Sequence, residues 1–297
     1  MGRRDSEVVE HHLKMLSLIS LRALCLAMLV ALIVPIHADA QGSSVRFERL
    51  SLEEGLSESV VNAIMQDSKG FMWFGTRDEL NKYDGYGFTV YRHDPDDSES
   101  LSSSFIMSIC EDRDGMIWIG TYGAGLNRYD RAAGKFTRYR HDPDDPSSVG
   151  SDTVRVIFED REGTLWFGTR AGGLDRYDPD TDSFIHYQHS PCDPNSLSAN
   201  TVLAIYEGRS GRLWVGTEAG LDEFDRATGK FAHYRHDPID AERLGSQTIN
   251  ALCEDRYGAL WIGTNTGLSV LHRDRESFRR YQMNLCTMSM TPTTPTV

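Results

Sequence analysis

The amino-acid sequence predicts an all-β fold, a β-propeller of four-stranded antiparallel blades, from the spacing of its tryptophans and the composition of the segments between them. All five tryptophans of the 297-residue chain occur in one recurring phrase. The phrase reads MWFGT at Trp73, IWIGT at Trp118, LWFGT at Trp166, LWVGT at Trp214 and LWIGT at Trp261. Its copies are 45 to 48 residues apart. A period in the forties with only strand-like segments inside it is typical of propeller blades, whereas helical solenoids would show a 3.6-residue apolar spacing.

Each repeat contains four short runs rich in β-branched and aromatic residues, separated by turn residues. In the second repeat these runs are FIMSICED, MIWIGT, LNRYD and FTRYRH. A glycine stands three residues before every tryptophan, where a tight hairpin needs a residue that tolerates positive φ. Another glycine follows two residues after it, where a strand leaves the sheet or another backbone approaches closely.

The aromatic residues are predicted to fill the space between blades. The five tryptophans occupy one structural position in the repeat, and the fourth run of each repeat adds a Phe and a Tyr. The alternative is a stacking platform for sugars. Burial is favoured because all five repeats carry these aromatics at equivalent places.

The two ends of the repeat region differ from its middle. Residues 45–55, VRFERLSLEEG, match the outer run that precedes each later repeat, so we expect an orphan outer strand there. Such a strand would complete the last blade of a closed ring, but the fifth repeat carries its own outer run, FRRY, at 278–281. Residues 45–281 are therefore interpreted as an incomplete set of blades, and 282–297 as a disordered or aberrant tail.

Residues 1–40 have the features of a signal peptide. Basic residues precede an apolar stretch at 23–36, and the small residues of Ala38-Asp39-Ala40 follow it. Cleavage before Gln41 would place the protein in the periplasm or outside the cell. The alternative is an uncleaved segment, 15–36, that anchors the chain in the inner membrane.

Composition argues against several classes of partner. The net charge of −13 comes from acidic residues spread along the chain, which disfavours nucleic acid and anionic membrane surfaces. Contact with a membrane is expected only through an uncleaved signal or a downstream helix.

No metal or cofactor is expected: GTYGAG lacks the following helix of a phosphate-binding loop. The recurring His93, His141, His189 and His236 would lie on different blades, too far apart to share one ion, and are expected to be turn residues.

The cysteines give no sign of a disulfide framework or a metal site. Four remain after the predicted cleavage, and their spacing matches neither a zinc site nor a redox pair. Cys110 and Cys253 occupy the same repeat position, so we expect them to be small core residues.

The phrase EDRDGMIWIGTYGAGLNRYD, followed by GKFTRYRHDPDD, resembles the two-component regulator propeller repeat of periplasmic sensor regions in bacterial receptors. The resemblance covers residues 45–281. It implies that the five repeats are an incomplete part of a seven-bladed ring. It also implies a downstream transmembrane helix and a histidine kinase or diguanylate cyclase, none of whose motifs occurs in this sequence. One departure is Glu79, which replaces the glycine of the other repeats and is expected to strain its turn.

Candidate ligand-binding residues are those that vary between repeats while the scaffold stays constant. Four residues after each tryptophan stand Arg77, Tyr122, Arg170, Glu218 and Asn265. One position of the inner strand carries Asn62, Arg155 and Asn250, with Met107 and Leu203 in the other two repeats. On a propeller these positions gather on one face near the central channel, and their polar groups would suit a ligand such as an oligosaccharide. The alternative, that they are variable exposed loop residues, stays open.

The leading functional hypothesis is a non-enzymatic extracytoplasmic sensor that binds a ligand or a partner propeller. One alternative is a secreted protein-interaction scaffold, and another is a glycan-active enzyme. The repeats are reminiscent of sialidase hairpins, but the arginine cluster and Tyr-Glu pair of such an enzyme cannot be assembled from non-repeating positions. The Glu-Asp pairs that recur in the repeats are expected to cap turns. Open blade edges predict self-association.

Overall fold

The computed structural model describes residues 49–240, 243–272, 277–283 and 290–292. The predicted signal peptide, residues 1–40, lies outside these ranges. The described residues form five antiparallel sheets and one short 3-10 turn, and no α-helix occurs among them. The predicted propeller of four-stranded blades is therefore confirmed.

Each blade consists of four strands that follow one another in the chain and in the sheet. The inner strands are β1 (Val61–Gln66), β5 (Ile106–Glu111), β9 (Val154–Glu159), β13 (Val202–Glu207) and β17 (Ile249–Glu254). The second strands are β2 (Met72–Thr76), β6 (Ile117–Thr121), β10 (Leu165–Thr169), β14 (Leu213–Thr217) and β18 (Leu260–Thr264). The third strands are β3 (Leu80–Tyr83), β7 (Leu126–Asp130), β11 (Leu174–Asp178), β15 (Leu221–Asp225) and β19 (Gly267–Leu271). The outer strands are β4 (Phe88–Tyr91), β8 (Lys135–Tyr139), β12 (Ser183–Tyr187), β16 (Lys230–Tyr234) and β20 (Phe278–Met283).

The inner strand of each blade contacts the inner strand of the next, which places these strands at the centre of the assembly. The four runs predicted in the second repeat agree with β5 to β8 within two residues at each end.

The structure describes the two ends of the repeat region only in part. Of the segment predicted to contain an orphan outer strand, residues 45–48 lie outside the described ranges, and Leu52–Glu54 form a 3-10 turn. Ser51 accepts a hydrogen bond from the backbone N–H of Glu53, and Glu54 accepts one from the Ser51 N–H, so a capping box fixes this turn. Of the tail predicted to be disordered or aberrant, residues 282–283 end β20, and β21 (Met290–Pro292) pairs with β20; the other tail residues lie outside the described ranges.

The turn between the inner and second strands is organised around an aspartate. In the second blade, Asp112 accepts hydrogen bonds from the backbone N–H groups of Asp114 and Met116, at 3.0 and 2.9 Å. Its other oxygen accepts the indole N–H of Trp118 at 2.6 Å. The equivalent indole bonds are 2.8 Å at Asp67 and Trp73, 2.8 Å at Asp160 and Trp166, and 3.0 Å at Asp255 and Trp261. The turn-capping role predicted for the Glu-Asp pairs is confirmed for their aspartates, Asp112, Asp160 and Asp255; the glutamates bind the turn of the preceding blade.

The glycine that precedes each tryptophan adopts positive φ, as predicted; at Gly115 φ is 80°. Glu79 has a φ of 85°, a left-handed conformation that is unfavourable for a residue with a side chain. The strain predicted at Glu79 is therefore present. Its backbone N–H is fixed by the carbonyl of Ser104 in the next blade, at 2.7 Å.

Neighbouring blades pack through a repeated set of apolar contacts. The tryptophan ring of one blade faces the next, and four of the five are buried: Trp73, Trp118, Trp166 and Trp214, at 0, 1, 1 and 5% exposure. Beside each one, the outer-strand tyrosine packs against a phenylalanine of the following blade, with ring centroids 5.6 to 6.1 Å apart. These contacts confirm that the repeated aromatics are core residues.

In the first four blades the glycine after the tryptophan contacts a β-branched residue of the next inner strand. A Cβ placed at Gly75 would lie 2.5 Å from Cγ2 of Ile106, and one placed at Gly216 would lie 2.7 Å from Cγ2 of Ile249. A side chain of the next blade, and not only a backbone, therefore explains the glycine. We call this the glycine notch.

A polar contact accompanies the apolar ones. The residue after the turn aspartate, or after Gly208 in the fourth blade, binds the glutamate that ends the next inner strand. In each case the backbone N–H donates to the carboxylate, over 2.5 Å at Ser68–Glu111, 3.2 Å at Arg113–Glu159, 2.8 Å at Arg161–Glu207 and 2.8 Å at Arg209–Glu254. The three arginines also reach backbone carbonyls of the neighbouring turn. We call this contact the blade clasp.

Cys253 does not fit its prediction as a core residue. Cys110 is partly buried and packs against the core between the second and third blades. Cys253, at the same position of the fifth blade, is exposed because the described residues place no sixth blade against it.

We expect Asp112→Ala to lower the free energy of unfolding by about 3 kcal/mol, because it leaves a buried indole N–H and two turn N–H groups without their acceptor. Urea unfolding followed by circular dichroism measures this change. Asp114→Ala removes an exposed carboxylate from the same turn and serves as the control. Equal losses in the two variants would show that the cap is not what stabilises the turn.

Candidate ligand-binding site

The inner-strand candidates all lie at a β-bulge. In every blade the pairing between the inner and second strands shifts by one residue near the start of the inner strand. The residue left without a partner is Asn62, Met107, Arg155, Leu203 or Asn250. A bulge turns a side chain away from the regular alternation of the sheet and is common next to binding sites. The position chosen from the sequence is thus structurally distinct in all five blades.

The loop candidates lie beside the bulges of their own blades. The backbone N–H of Tyr122 donates to the carbonyl of Phe105, just before the inner strand, at 3.0 Å. The corresponding bonds of Arg77, Arg170 and Glu218 measure 3.2, 3.0 and 3.2 Å. The loop after the second strand is therefore fixed against the residue that precedes the bulge.

The second and third blades combine to form one composite surface. Phe105 and Tyr122 stack with ring centroids 5.2 Å apart and an interplanar angle of 28°. Arg170 of the third blade donates a hydrogen bond to the Tyr122 hydroxyl at 2.9 Å, and its guanidinium lies 5.8 Å from the Tyr122 ring centroid. Tyr122 is 45% exposed despite these contacts. We call Phe105, Tyr122 and Arg170 the aromatic platform.

The backbone of Arg170 is fixed by a hydrogen bond from the fourth blade. Its backbone carbonyl accepts the Thr201 hydroxyl of the fourth blade at 2.6 Å. Arg155, at the bulge of the third blade, is half-buried and has no hydrogen bond or ion pair within the described part of the chain. Its guanidinium donors are therefore available to a ligand, as are those of the exposed Arg77.

The other predicted residues divide between structural and exposed positions. Asn62 donates to the carbonyl of Ile106 at 2.9 Å and so joins the first blade to the second. Asn250 and Asn265 bond to each other at 2.6 Å in the fifth blade. Arg77 and Glu218 are exposed at their loops. The structure therefore brings Tyr122 and Arg170 together and pairs Asn250 with Asn265, whereas no side-chain hydrogen bond joins Asn62, Arg77, Arg155 or Glu218 to another candidate within the described ranges.

Sequence reasoning missed Phe105. The equivalent residues are Val60, Thr153, Thr201 and Thr248, so an aromatic side chain appears at this position in one repeat only. The rule that selected Tyr122, a varying residue on a constant scaffold, would also have selected Phe105 if it had been applied one residue before the inner strand.

The loop that connects the outer strand of one blade to the inner strand of the next lies at the same end of the strands as the bulges. Basic side chains fix its position. The recurring His93, His141, His189 and His236 each bond through Nδ1 to a carbonyl eight residues further on, at 2.6 to 2.9 Å. In addition, Arg138 of the second blade reaches four backbone carbonyls of the preceding loop. In the third and fourth blades His186 and His233 replace this arginine.

His186 and His233 each lie between two acceptors. His233 Nδ1 is 2.6 Å from the buried carboxylate of Asp222 and its Nε2 is 2.8 Å from the carbonyl of Pro194. His186 has the same arrangement with Asp175 and Pro146, at 2.6 and 3.0 Å. Since both nitrogens face acceptors, the protonated ring satisfies both bonds and the neutral ring only one.

The cluster of Ser198, His233 and Asp222 has the composition of a nucleophilic triad but not its geometry. The Ser198 hydroxyl lies 2.5 Å from Asp222 and 2.9 Å from the same His233 nitrogen that faces the carboxylate. A general base needs a ring nitrogen with a free lone pair directed at the hydroxyl. Because both His233 nitrogens are engaged, this cluster fixes the loop and does not activate the serine.

No three potential ligands among the His, Cys, Asp and Glu side chains of the described residues converge on a common metal position. Within the same ranges, no helix has the length and apolar character needed to cross a bilayer.

Comparison with known proteins agrees with this architecture. The sequence profile described as "Two component regulator propeller" matches five segments, 55–78, 100–123, 148–171, 196–219 and 243–266. Each segment runs from the start of a blade through the phrase that carries the tryptophan. A histidine kinase, P4, from Formosa agariphila is 48% identical over 63 residues, which is 21% of this chain and 5% of the kinase.

Two solved structures are similar over most of the chain. The extracellular domain of the hybrid two-component system BT3049 from B. thetaiotaomicron is 30% identical, with a TM-score of 0.69, and the match covers 78% of this chain and 31% of that one. The extracellular domain of BT4673 from the same organism is 26% identical, with a TM-score of 0.65, over 81% of this chain and 33% of that one. The chain thus spans about a third of the length of these solved structures.

We expect the free energy of unfolding to decrease as the pH rises above 6.5, the ordinary pKa of histidine. Hydrogen bonds to Asp175 and Asp222 raise the pKa of His186 and His233, respectively, in the folded state. A group whose pKa is raised in the folded state contributes fully to the free energy of unfolding at pH values below its unfolded-state pKa. This contribution is lost as the pH rises through the folded-state pKa. Urea unfolding over a series of pH values measures the decrease.

The double variant His186→Arg, His233→Arg is the matched control, because it gives both blades the permanent charge that Arg138 supplies in the second blade. Its stability should depend less on pH over this interval than that of the wild type. An identical pH dependence in both proteins would refute the assignment to these two histidines.

Proposed function

The chain carries five two-component regulator propeller repeats, and from this premise we propose that it is the extracytoplasmic, ligand-binding sensor region of a bacterial signalling receptor. The similarity to extracellular domains of hybrid two-component systems supports the location and the sensor role. The output activity, a histidine kinase or a diguanylate cyclase, would belong to a part of the receptor outside this chain. In this proposal the propeller itself performs no catalysis.

The observation that carries the ligand-binding part is the aromatic platform. Its exposed Tyr122 ring is backed by Phe105 and oriented by Arg170, so the ring is held in one position before a ligand arrives. A preorganised ring face with neighbouring donors suits a sugar, whose apolar ring faces stack on aromatics while its hydroxyls accept hydrogen bonds. Arg155 and Arg170 supply such donors in a chain whose net charge is −13.

The proposed ligand is therefore an oligosaccharide bound across the second and third blades. A ligand in contact with both blades would respond to their relative position. Signalling then requires only that the ligand bind one arrangement of these blades better than another.

We expect Tyr122→Ala to weaken oligosaccharide binding by about 2 kcal/mol, or roughly thirtyfold, because the stacking surface is removed. Arg170→Ala should weaken it by a similar amount through the loss of donors and of ring orientation. Isothermal titration calorimetry measures both effects. The chain without the predicted signal peptide, residues 1–40, is titrated with oligosaccharides from a neutral glucan and from a uronate-bearing pectin. The comparison of the two sugars shows whether the arginines recognise hydroxyls or carboxylates.

Tyr86→Ala is the control. Tyr86 is 99% exposed in the turn between β3 and β4, at the opposite end of the strands, so its removal should leave binding unchanged. Absence of binding to every oligosaccharide by a well-folded sample would contradict the proposed ligand class. Binding that survives both platform variants would contradict the proposed site.

A further inference from the structure

Arg155 lies next to the aromatic platform and is joined to it through Thr153. The backbone of Thr153 pairs with that of Tyr122 in the second blade. The Thr153 carbonyl also accepts the backbone N–H of Arg170 at 3.0 Å. Arg155 follows two residues later, at the bulge of β9, which is about 7 Å further along an extended strand. An extended arginine side chain covers such a distance, so Arg155 and the exposed Tyr122 ring can contact one ligand.

The surroundings of Arg155 offer its guanidinium no carboxylate. The inner strands on either side of β9 carry Met107 and Leu203 at the equivalent position, and both side chains are apolar. Asp152, the acidic residue nearest in sequence, accepts the backbone N–H of His141 at 2.9 Å. Within the described ranges no ion pair reaches Arg155, although the residue is half-buried. A partly desolvated charge without a partner is unfavourable, and an anionic ligand would relieve this cost.

The arginines at the opposite end of β9 have carboxylate partners. Arg113 Nε lies 3.0 Å from a carboxylate oxygen of Glu159. Arg161 Nε lies 3.9 Å from one of Glu207. Acidic residues outnumber basic ones by 44 to 31 in the chain, so carboxylates are not scarce. Among the described residues, the lack of a carboxylate beside Arg155 is therefore a property of this end of the third blade.

We propose that Arg155 determines the specificity of the site by binding an anionic group of the sugar that stacks on Tyr122. This inference rests on the function proposed above and names the ligand more narrowly, as a sugar that carries a carboxylate or a sulfate. A guanidinium forms two parallel hydrogen bonds with the oxygens of such a group, and charge-assisted bonds are about twice as strong as neutral ones. A hydroxyl would leave the charge of Arg155 uncompensated. Arg170 already donates to the Tyr122 hydroxyl and orients the ring.

Paired ligands that differ only in charge test this inference. One pair is trigalacturonate and its methyl ester, and the other is a sulfated galactan oligosaccharide and its desulfated form. We expect the charged member of at least one pair to bind about tenfold more tightly than the neutral member, as for one charge-assisted hydrogen-bonded contact. Isothermal titration calorimetry of the chain without residues 1–40 measures the dissociation constants. A preference within the first pair alone identifies a carboxylate, within the second alone a sulfate, and within both a site that recognises charge in either form.

Arg155→Met removes the charge and introduces the residue that the second blade carries at this bulge, so the bulge should be retained. We expect this variant to bind the charged and neutral members equally. Arg155→Lys keeps the charge and should restore part of the preference. A merely structural role of Arg155 would change the affinity for both members alike and leave their ratio unaltered.

Lys230→Gln is the control. It removes one positive charge from an exposed position at the start of β16, at the opposite end of the strands, and should keep the wild-type preference. The inference is overturned if the wild type binds the neutral members as tightly as the charged ones, or if Arg155→Met keeps the wild-type preference. Binding of neutral sugars would then still support the proposed function, so the two failures are distinguishable. Absence of binding to every member of both pairs by a well-folded sample overturns this inference together with the proposed ligand class.

Discussion

In the first four blades the indole of the tryptophan is buried at the junction with the next blade, and the position of its N–H constrains the turn beside it. A buried N–H without an acceptor is unfavourable, and in the first three blades the turn aspartate accepts it; the fifth blade has the same bond at the partly exposed Trp261. The same carboxylate accepts two backbone N–H groups, so one side chain fixes both the turn and the ring. The fourth blade has Gly208 instead of the aspartate and keeps only backbone hydrogen bonds that the other four turns also have, among them the one to the carbonyl of Arg212.

Residues that hold the junctions between blades are distinct from residues of the bulges and loops, which explains where the sequence varies between repeats. Tryptophan, glycine, aspartate and the clasp residues hold the blades together at positions that repeat along the chain. The bulge and the adjacent loop are fixed by backbone hydrogen bonds, so their side chains can change without loss of the junction. The aromatic platform arises where such variable positions of two adjacent blades carry Phe105, Tyr122 and Arg170.

The fold could be predicted from the sequence because its determinants recur. Five copies of one phrase give the blades, and β5 to β8 begin and end within two residues of the predicted runs. The ends carry weaker signals: the capping box at Ser51 is a local feature that does not recur in the repeats, and the pairing of Met290–Pro292 with β20 leaves no periodic signal. The exposure of Cys253 depends on whether a neighbour covers its blade, which repeat position alone cannot show.

The ligand-binding role of the candidate residues stays a prediction, but the structure shows how they are placed. The three inner-strand candidates, Asn62, Arg155 and Asn250, all lie at bulges. Which candidates meet depends on contacts between blades, such as Arg170 with Tyr122, and on side chains used elsewhere, such as Asn62. These are properties of three-dimensional packing and are not encoded in the repeat spacing.

The role of the junction is tested most directly by placing the same methyl group in a filled and in an open glycine notch. At Gly75 the three atoms nearest to the added Cβ all belong to the next blade, the closest being Cγ2 of Ile106 at 2.5 Å, whereas at Gly263 the nearest neighbour is 3.3 Å away. Gly75→Ala should therefore lower the free energy of unfolding by about 2 kcal/mol or more, and Gly263→Ala by less than about 1 kcal/mol. Equal losses in the two variants would contradict the account.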